Sequence, residues 1–241
     1  MIEYIVPSNI DDRILARSAQ MLEKGALLAL PTDTSWSIVC SIKSPAAIKK
    51  LRNLSGERDE RHFTLLCSGI SQFVEVCSLD NSRFRLINRL CPGPYVFILK
   101  TLPGTEKFLD IKRKELGVRI PDYPVPIRLI ETLKHPLYSI TAKKSMTGNS
   151  EWNDTQSLSV LTASHERTKL PVHRIHEDGN ELPPIPEEEL FESGWELEDI
   201  EGLDLILDSG EERERIFSTI LDLCTDEIKV LRQGAGKWPD K

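Results

Sequence analysis

The sequence predicts an α/β fold with helices packed on a sheet. Two observations support this class. Short apolar runs typical of strands alternate with helix-like segments from residue 10 to about residue 134, and three further apolar runs return after residue 202. At 241 residues the chain is long enough to bury a substantial core, and we expect one domain over residues 1–241. The sequence contains no internal repeat of the kind that would indicate a solenoid.

The first unit is a helix followed by a strand, a polar turn and a second strand. Residues 10–24 predict the helix, with Ser8 as its N-cap and Gly25 as its C-terminal stop. The apolar run 28–40 is then interrupted by Pro31-Thr32-Asp33-Thr34. Proline ends the hydrogen-bonding run, and three short polar side chains follow where backbone and ligand can meet. Taken alone, such a turn more often caps its own backbone.

A second helix and a charged loop come next. Ser44 and Pro45 mark the start of a helix that ends near Asn53. The loop at 55–62, which carries two arginines, leads into the short apolar strand 63–67. Basic side chains are therefore expected at the entrance of a strand.

The rest of the chain continues this alternation but contains one long polar interruption. The expected elements are helix 81–90, strand 95–99, strand 117–120, helix 125–134, and strands 203–208, 218–223 and 228–232. Between them, residues 150–200 predict a polar, acidic and partly irregular insertion that includes the run Leu182-Pro183-Pro184-Ile185-Pro186. We expect this insertion to be an exposed excursion.

The net charge of −7 conceals two parts of opposite sign. Residues 1–150 carry 22 Lys and Arg against 15 Asp and Glu, whereas residues 151–241 carry 9 against 23. The first part is therefore the one that faces anions, and a local basic concavity there can hold a nucleotide or a stretch of RNA. The overall negative charge argues against nonspecific coating of nucleic acid.

Several classes of protein are excluded. No apolar run approaches the roughly 20 residues of a membrane-spanning helix. The N-terminus lacks a basic region followed by an apolar stretch, so we expect no secretory signal. Five cysteines without a CxxC pair indicate buried thiols in a reducing cytosol. The phosphate-binding G-x-x-x-x-G-K-[ST], the dinucleotide G-x-G-x-x-G, the zinc-protease H-E-x-x-H and the hydrolase G-x-S-x-G are absent, so side chains must hold any phosphate.

Seven short motifs occur in the order found in the YrdC/YciO family. They are Pro-Thr-Asp-Thr at 31–34, Cys-Pro-Gly-Pro-Tyr-Val-Phe-Ile-Leu at 91–99, Gly-Val-Arg-Ile-Pro at 117–121, Ser-Ile-Thr-Ala at 139–142, Leu-Ile-Leu-Asp-Ser-Gly at 205–210, Ser-Thr-Ile-Leu-Asp-Leu at 218–223 and Val-Leu-Arg-Gln-Gly at 230–234. The chain therefore resembles this family over nearly its whole length except about 150–200. The runs at 62–67, 84–86 and 112–114 look more like the YciO branch.

The resemblance implies an open, twisted, mixed α/β sheet around a basic concave cavity. It also implies the family's activity, in which L-threonine, bicarbonate and ATP give threonylcarbamoyl-AMP and pyrophosphate, and the threonylcarbamoyl group then modifies adenosine 37 of tRNA. Such chemistry needs cations around a triphosphate and a dry site that protects a labile carbamate. We expect Mg²⁺ on the ATP phosphates rather than a protein-bound metal.

The same motifs suggest the site residues. Arg119 matches an arginine suited to pair with the threonine carboxylate. Thr32, Thr34 and Trp36 match positions on the substrate pocket, although the Trp36 ring can equally fill the core. The expected nucleotide-binding residues are Arg58, Arg61, Ser139, Ser218, Thr219 and Arg232. The expected catalytic residues are Arg52, Thr141 and Lys143.

Two motifs of the family are altered in this chain. The family's Lys-x-Arg falls on Arg52 and Leu54, so one cation is kept as arginine and one is lost, with a loop arginine as its candidate substitute. The family's Ser-x-Asn falls on Thr141-Ala142-Lys143, which replaces an amide with a cation. A lost charge-assisted contact costs about 1.5–3 kcal/mol. The cavity can therefore keep nucleotide affinity while the reaction is lost.

Three functions stay open at this point. The chain is a threonylcarbamoyl-adenylate synthase, an RNA-binding protein for tRNA or double-stranded RNA, or a paralogue that acts on a related nucleotide or carbamoylated substrate. Aromatic residues are only 6% of the chain and no RNP-like motif is present, so readout of single strands by base stacking fits poorly. An RNA partner would be recognised through its shape.

Overall fold

The computed structural model describes residues 1–55, 63–105, 109, 114–147, 174–175, 181–182 and 186–238. Its strands are β1 (Ile2–Tyr4), β2 (Leu28–Leu30), β3 (Ser37–Ser41), β4 (Thr64–Leu66), β5 (Tyr95–Lys100), β6 (Glu115–Arg119), β7 (Leu137–Thr141), β8 (Arg174–Ile175), β9 (Glu181–Leu182), β10 (Leu205–Asp208), β11 (Thr219–Asp222) and β12 (Lys229–Arg232). Its α-helices are α1 (Asp12–Glu23), α2 (Pro45–Ser55), α3 (Ser71–Val74), α4 (Asn81–Leu90) and α5 (Pro124–Leu133). Short 3-10 helices cover Lys144–Met146, Glu187–Glu189 and Gly194–Asp199.

Ten of these strands form one mixed sheet in the order β1-β10-β2-β3-β7-β4-β6-β5-β11-β12. Strand β3 runs antiparallel to both β2 and β7, whereas β4 runs parallel to β6 and β11 runs parallel to β5. Strand β10 inserts between β1 and β2, and β11 pairs with β5 at the other end. The strands after the predicted insertion therefore rejoin the sheet at two separate places, and the predicted open mixed α/β sheet is confirmed.

Local signals explain where the first helices begin and end. The carboxylate of Asp11 accepts a hydrogen bond from the Arg13 backbone N–H at 2.8 Å, so Asp11 rather than Ser8 caps α1. Gly25 ends this helix as predicted, with a φ of 91° that favours glycine. The Ser44 hydroxyl accepts from the Ala47 N–H at 3.3 Å, which confirms the predicted start of α2.

The two faces of the sheet carry separate apolar clusters. Ile38 and Val39 are neighbours on β3, yet they belong to different clusters because successive side chains of a strand face opposite sides. The cluster with Ile38 includes buried residues of α2, α3 and α4, and the cluster with Val39 includes residues of α1 and α5. The helices α1 and α5 cover only part of their face, so polar side chains farther along the sheet are left to line a cavity.

The last part of the predicted insertion is packed rather than exposed. Leu190, Phe191, Leu197 and Ile200 are all buried, and three of them join the cluster that contains Ile38. The prediction of an exposed excursion therefore fails for these four side chains, whereas Trp195 of the same segment is 67% exposed. Most of the remaining insertion, together with Arg58 and Arg61, lies outside the described residues. In the part of the chain that is described, no helix is both long and apolar enough to cross a membrane.

Candidate functional site

A cavity that is partly open to solvent lies on the face of the sheet that α1 and α5 partly cover. Its lining comes from β3 to β7, β11 and β12 and the segments beside them. The lining residues are Ser37, Ser55, Thr64, Leu66, Val96, Ile98, Arg119, Ser139, Ile140, Thr141, Lys143, Met146, Phe217, Ser218, Ile220 and Arg232. Among these described residues the charged side chains are all cations, and no carboxylate or histidine lines the cavity. The arrangement favours an anionic ligand.

Arg119 ends β6 and is the most deeply buried charge of the cavity, with 5% of its surface exposed. Its Nη2 donates to Asp33 Oδ1 at 2.6 Å, and its Nη1 donates to Thr34 Oγ1 at 3.0 Å. Burial lowers the pKa of Arg119, and the Asp33 carboxylate opposes that shift. The Arg119 Nε and the Asp33 Oδ2 are buried without a hydrogen-bond partner. The pair therefore retains one donor and one acceptor for a further group.

The Pro-Thr-Asp-Thr turn holds Arg119 rather than forming the cavity wall. The Thr32 hydroxyl donates to the Ser35 carbonyl at 2.7 Å and accepts from the Thr34 N–H at 3.2 Å. Both threonines are buried, and neither belongs to the lining. The structure thus places Thr34 against the guanidinium of Arg119, whereas the hydroxyl of Thr32 caps the turn itself.

The structure places Trp36, an expected substrate-binding residue, in the core and outside the cavity lining. Its side chain has no exposed surface and lies in the same cluster as Ile38. The indole Nε1 donates to the Glu192 carbonyl at 3.2 Å. The indole ring packs on the face of the sheet opposite the cavity, so it does not form a cavity wall. Trp36 is therefore a core residue.

Three predicted residues share the cavity face because they are two positions apart. Ser139 and Thr141 lie on β7, and Lys143 follows in extended backbone, with φ −133° and ψ 148°. All three line the cavity, whereas the intervening Ala142 is buried in the core. The Ser139 hydroxyl donates to the Thr64 carbonyl at 2.8 Å, which ties β7 to β4.

The antiparallel pair β11 and β12 brings Ser218 and Arg232 together. The Arg232 Nε donates to the Ser218 carbonyl at 2.9 Å, and its Nη2 donates to the Ser218 hydroxyl at 3.1 Å. The guanidinium carbon also lies 4.8 Å from the centre of the Phe217 ring. All three residues line the cavity, so Ser218 and Arg232, two of the expected nucleotide-binding residues, form one of its walls together with Phe217.

Thr219 does not belong to this wall. Its hydroxyl donates to the Gly236 carbonyl at 2.5 Å and accepts from the Gly234 N–H at 2.9 Å. The side chain is fully buried because it points to the opposite face of the sheet from Ser218. The structure therefore gives Thr219 a structural role outside the cavity lining, and nothing in this placement supports its expected role in nucleotide binding.

Arg52 lies beside the cavity but is not part of its lining. It is in the last turn of α2, and its guanidinium carbon is 6.0 Å from the centre of the Phe63 ring. Ser55, one turn later, does line the cavity, as do Ser37 and Thr64. These three hydroxyls were missed in the sequence analysis. For Thr64 the alternation of side chains along its predicted strand was a usable signal. The expected roles of Arg58 and Arg61 stay predictions.

A model of the Sua5/YciO/YrdC family, described as telomere recombination, matches residues 20–164. The chain belongs to this family. YciO of Escherichia coli K12 is 29% identical over 171 residues, which cover 70% of this chain and 82% of YciO. A threonylcarbamoyl-AMP synthase of Enterobacter is 27% identical over 137 residues, which cover 56% of this chain and 71% of the synthase. The resemblance drawn from the seven motifs is confirmed.

Solved structures of family members share the fold. The crystal structure of E. coli YciO superposes with a TM-score of 0.70 at 24% identity and covers 98% of this chain and 97% of YciO. The structure of P. abyssi Sua5 complexed with L-threonine superposes with a TM-score of 0.71 at 19% identity. That comparison covers 97% of this chain but 57% of Sua5. The predicted YrdC-like architecture is confirmed.

Proposed function

We propose that this protein forms threonylcarbamoyl-AMP and pyrophosphate from L-threonine, bicarbonate and ATP. The observation that carries the proposal is the charge of the cavity. Arg119, Lys143 and Arg232 reach it from three separate segments, and no acidic side chain of the described residues lines it. Such a site suits a ligand with several negative charges, as a nucleoside triphosphate has. A relative named threonylcarbamoyl-AMP synthase supports the choice of reaction.

The proposed nucleotide side of the cavity is the wall made by Ser218 and Arg232. Thr141 and Lys143 lie on the other side and provide a hydroxyl and an ammonium group for phosphate oxygens. Because no carboxylate or histidine of the described lining can act as a general base, the residues would act through positioning and electrostatic stabilisation. Mg²⁺ would enter with the ATP phosphates in this proposal.

The amino-acid side of the proposed site is the Arg119 and Asp33 pair. The threonine carboxylate would meet a guanidinium that already donates to Asp33 at 2.6 Å. Its unpartnered Nε and the unpartnered Asp33 Oδ2 can then serve the carboxylate and the N–H of the same substrate. The negative charge of the Asp33 carboxylate partly offsets the positive charge that Arg119 presents to the substrate.

The test is pyrophosphate release by purified protein with ATP, Mg²⁺ and bicarbonate, with and without L-threonine. Threonine-dependent release supports the proposal, and Lys143→Met is expected to abolish most of it. Lys229→Met is the matched control, because Lys229 is exposed and outside the lining. ATP binding without release would favour a paralogue that uses a related substrate, and absence of ATP binding would overturn the nucleotide role.

Binding of tRNA or double-stranded RNA stays a prediction from the charge of residues 1–150. A salt titration tests it, because phosphate contacts make the logarithm of the RNA affinity fall linearly with the logarithm of salt concentration. An RNA affinity that hardly changes with salt would contradict phosphate-led binding.

A further inference from the structure

The segment 186–200, the last part of the predicted insertion, contacts the turn beside Lys143. Glu189 Oε2 accepts a hydrogen bond from the Ser145 backbone N–H at 3.3 Å. Lys144 Nζ lies 3.6 Å from Glu196 Oε1. Both contacts fall within the 3-10 helix that directly follows Lys143 and ends with Met146, a second lining residue. The segment is therefore attached to one wall of the cavity.

The same segment also contacts, through a single carbonyl, two residues that precede other parts of the lining. Glu192 O accepts from Trp36 Nε1 at 3.2 Å and from the Arg213 N–H at 2.8 Å. Trp36 precedes the lining residue Ser37, and its own carbonyl accepts from the Ala142 N–H at 2.9 Å. Arg213 begins the stretch that leads to the Phe217 and Ser218 wall. One peptide group thus joins β3, the end of β7 and the approach to β11.

The segment is itself held in place by buried side chains, a capping box and close packing against β10. Its apolar side chains Leu190, Phe191 and Leu197 are at most 2% exposed. Glu196 Oε2 accepts from the Glu192 N–H at 2.8 Å and the Ser193 N–H at 2.9 Å, which completes a capping box. Gly194 lies so close to β10 that an added Cβ would sit 2.4 Å from Asp208 Oδ2. Packing against the core therefore fixes the position of the residues that make these contacts.

We propose that residues 186–200 are a positioning element for the anion-binding cavity, and that Glu189 sets the place of Lys143 by holding the next turn. Glu189 is 7% exposed, so its carboxylate has little contact with water and accepts a hydrogen bond from a backbone N–H. Without it, the Ser145 N–H loses its acceptor on this segment, and the turn keeps only its own bonds, from the Met146 N–H to the Lys143 carbonyl and from the Thr147 N–H to the Lys144 carbonyl. The readout in ligand affinity rests on the proposed nucleotide function, whereas the placement of the turn does not.

The experiment compares Glu189→Ala, Glu189→Gln and the control Glu188→Ala, which changes an exposed residue of the same 3-10 helix. Hydrogen exchange of the Ser145 amide and the Kd for ATP are measured on the full chain. We expect Glu189→Ala to speed the exchange and raise the Kd, each by about 10-fold. Glu189→Gln keeps an acceptor oxygen and is expected to restore both values to within about 3-fold of the original protein.

Each outcome decides the inference. Unchanged Ser145 exchange in Glu189→Ala, or an equal effect in the control, overturns it. If the original protein binds no ATP, the proposed function fails while the exchange comparison still decides the positioning role. If Glu189→Ala does not fold, Glu189→Met replaces it, because methionine keeps the length of the side chain but has no oxygen acceptor for the Ser145 N–H. It is then expected to speed the exchange of the Ser145 amide, and no change overturns the inference.

Discussion

Replacing Asp33 with asparagine leaves the buried guanidinium of Arg119 without its carboxylate. The two groups are 2.6 Å apart, with side chains 6% and 12% exposed. Removing one partner of a buried ion pair costs about 3–5 kcal/mol, because the remaining charge is neither solvated nor compensated. Thr34 Oγ1 still accepts a hydrogen bond from Arg119, so we expect the lower end, a loss of about 3 kcal/mol in the free energy of unfolding. For a chain of this size that lowers Tm by about 6–12 °C.

The assay is urea unfolding monitored by tryptophan fluorescence, and the chain offers a matched control. Asp12 and Arg128 form a pair at 2.9 Å whose side chains are 85% and 49% exposed. The same change, Asp12→Asn, is expected to cost no more than about 1 kcal/mol, since water and salt screen an exposed pair. The two variants differ in burial while the chemical substitution is identical.

The double variant Asp33→Asn with Arg119→Met sharpens the test. It removes both charges, so we expect most of the lost stability to return. The reasoning is refuted if Asp33→Asn costs no more than Asp12→Asn, or if the double variant is less stable than Asp33→Asn alone. Either result would mean that burial does not govern the energy of this pair.

Three further predictions follow from buried polar groups. Thr219→Val removes the hydroxyl bonded to Gly236 and is expected to lower the free energy of unfolding by about 1–3 kcal/mol with ATP affinity unchanged, as urea unfolding and calorimetry would show. Burial lowers the pKa of His135, so its contribution to stability is complete above pH 6.5 and is lost as pH falls below that value; His135→Gln should flatten the dependence of Tm on pH between 5 and 7, and an unchanged slope would contradict this. Burial raises the pKa of the Cys40 and Cys77 thiols to about 12, so mass spectrometry should find neither labelled by a thiol reagent in native protein at pH 8; rapid labelling would contradict the burial.

The elements that local signals specify were predictable. Ser44 capping α2 and Gly25 ending α1 are residues whose chemistry acts within one turn of the chain. Strand β1 was missed because it is three residues long and half-exposed, and its pairing partner β10 lies at the other end of the sequence. No local sequence pattern in residues 2–4 indicates that β1 pairs with β10.

The candidate site shows the same division. Alternation along β7 places Ser139, Thr141 and Lys143 on one face, and the motifs predicted all three. Thr219 was assigned to the site together with its neighbour Ser218, although adjacent strand residues face opposite sides. Applying the period of the strand to that motif would have separated them from the sequence alone.

The sequence by itself determined the α/β class and the family, because these depend on periodicity, caps and ordered motifs carried by neighbouring residues. Only the tertiary structure decided that Arg119 is paired with Asp33, that Trp36 belongs to the core and that residues 186–200 support the cavity wall. Each of those depends on which distant groups meet in a space closed to water. Burial turns such a meeting into an obligatory contact, since a polar group withheld from water must find its partner within the protein.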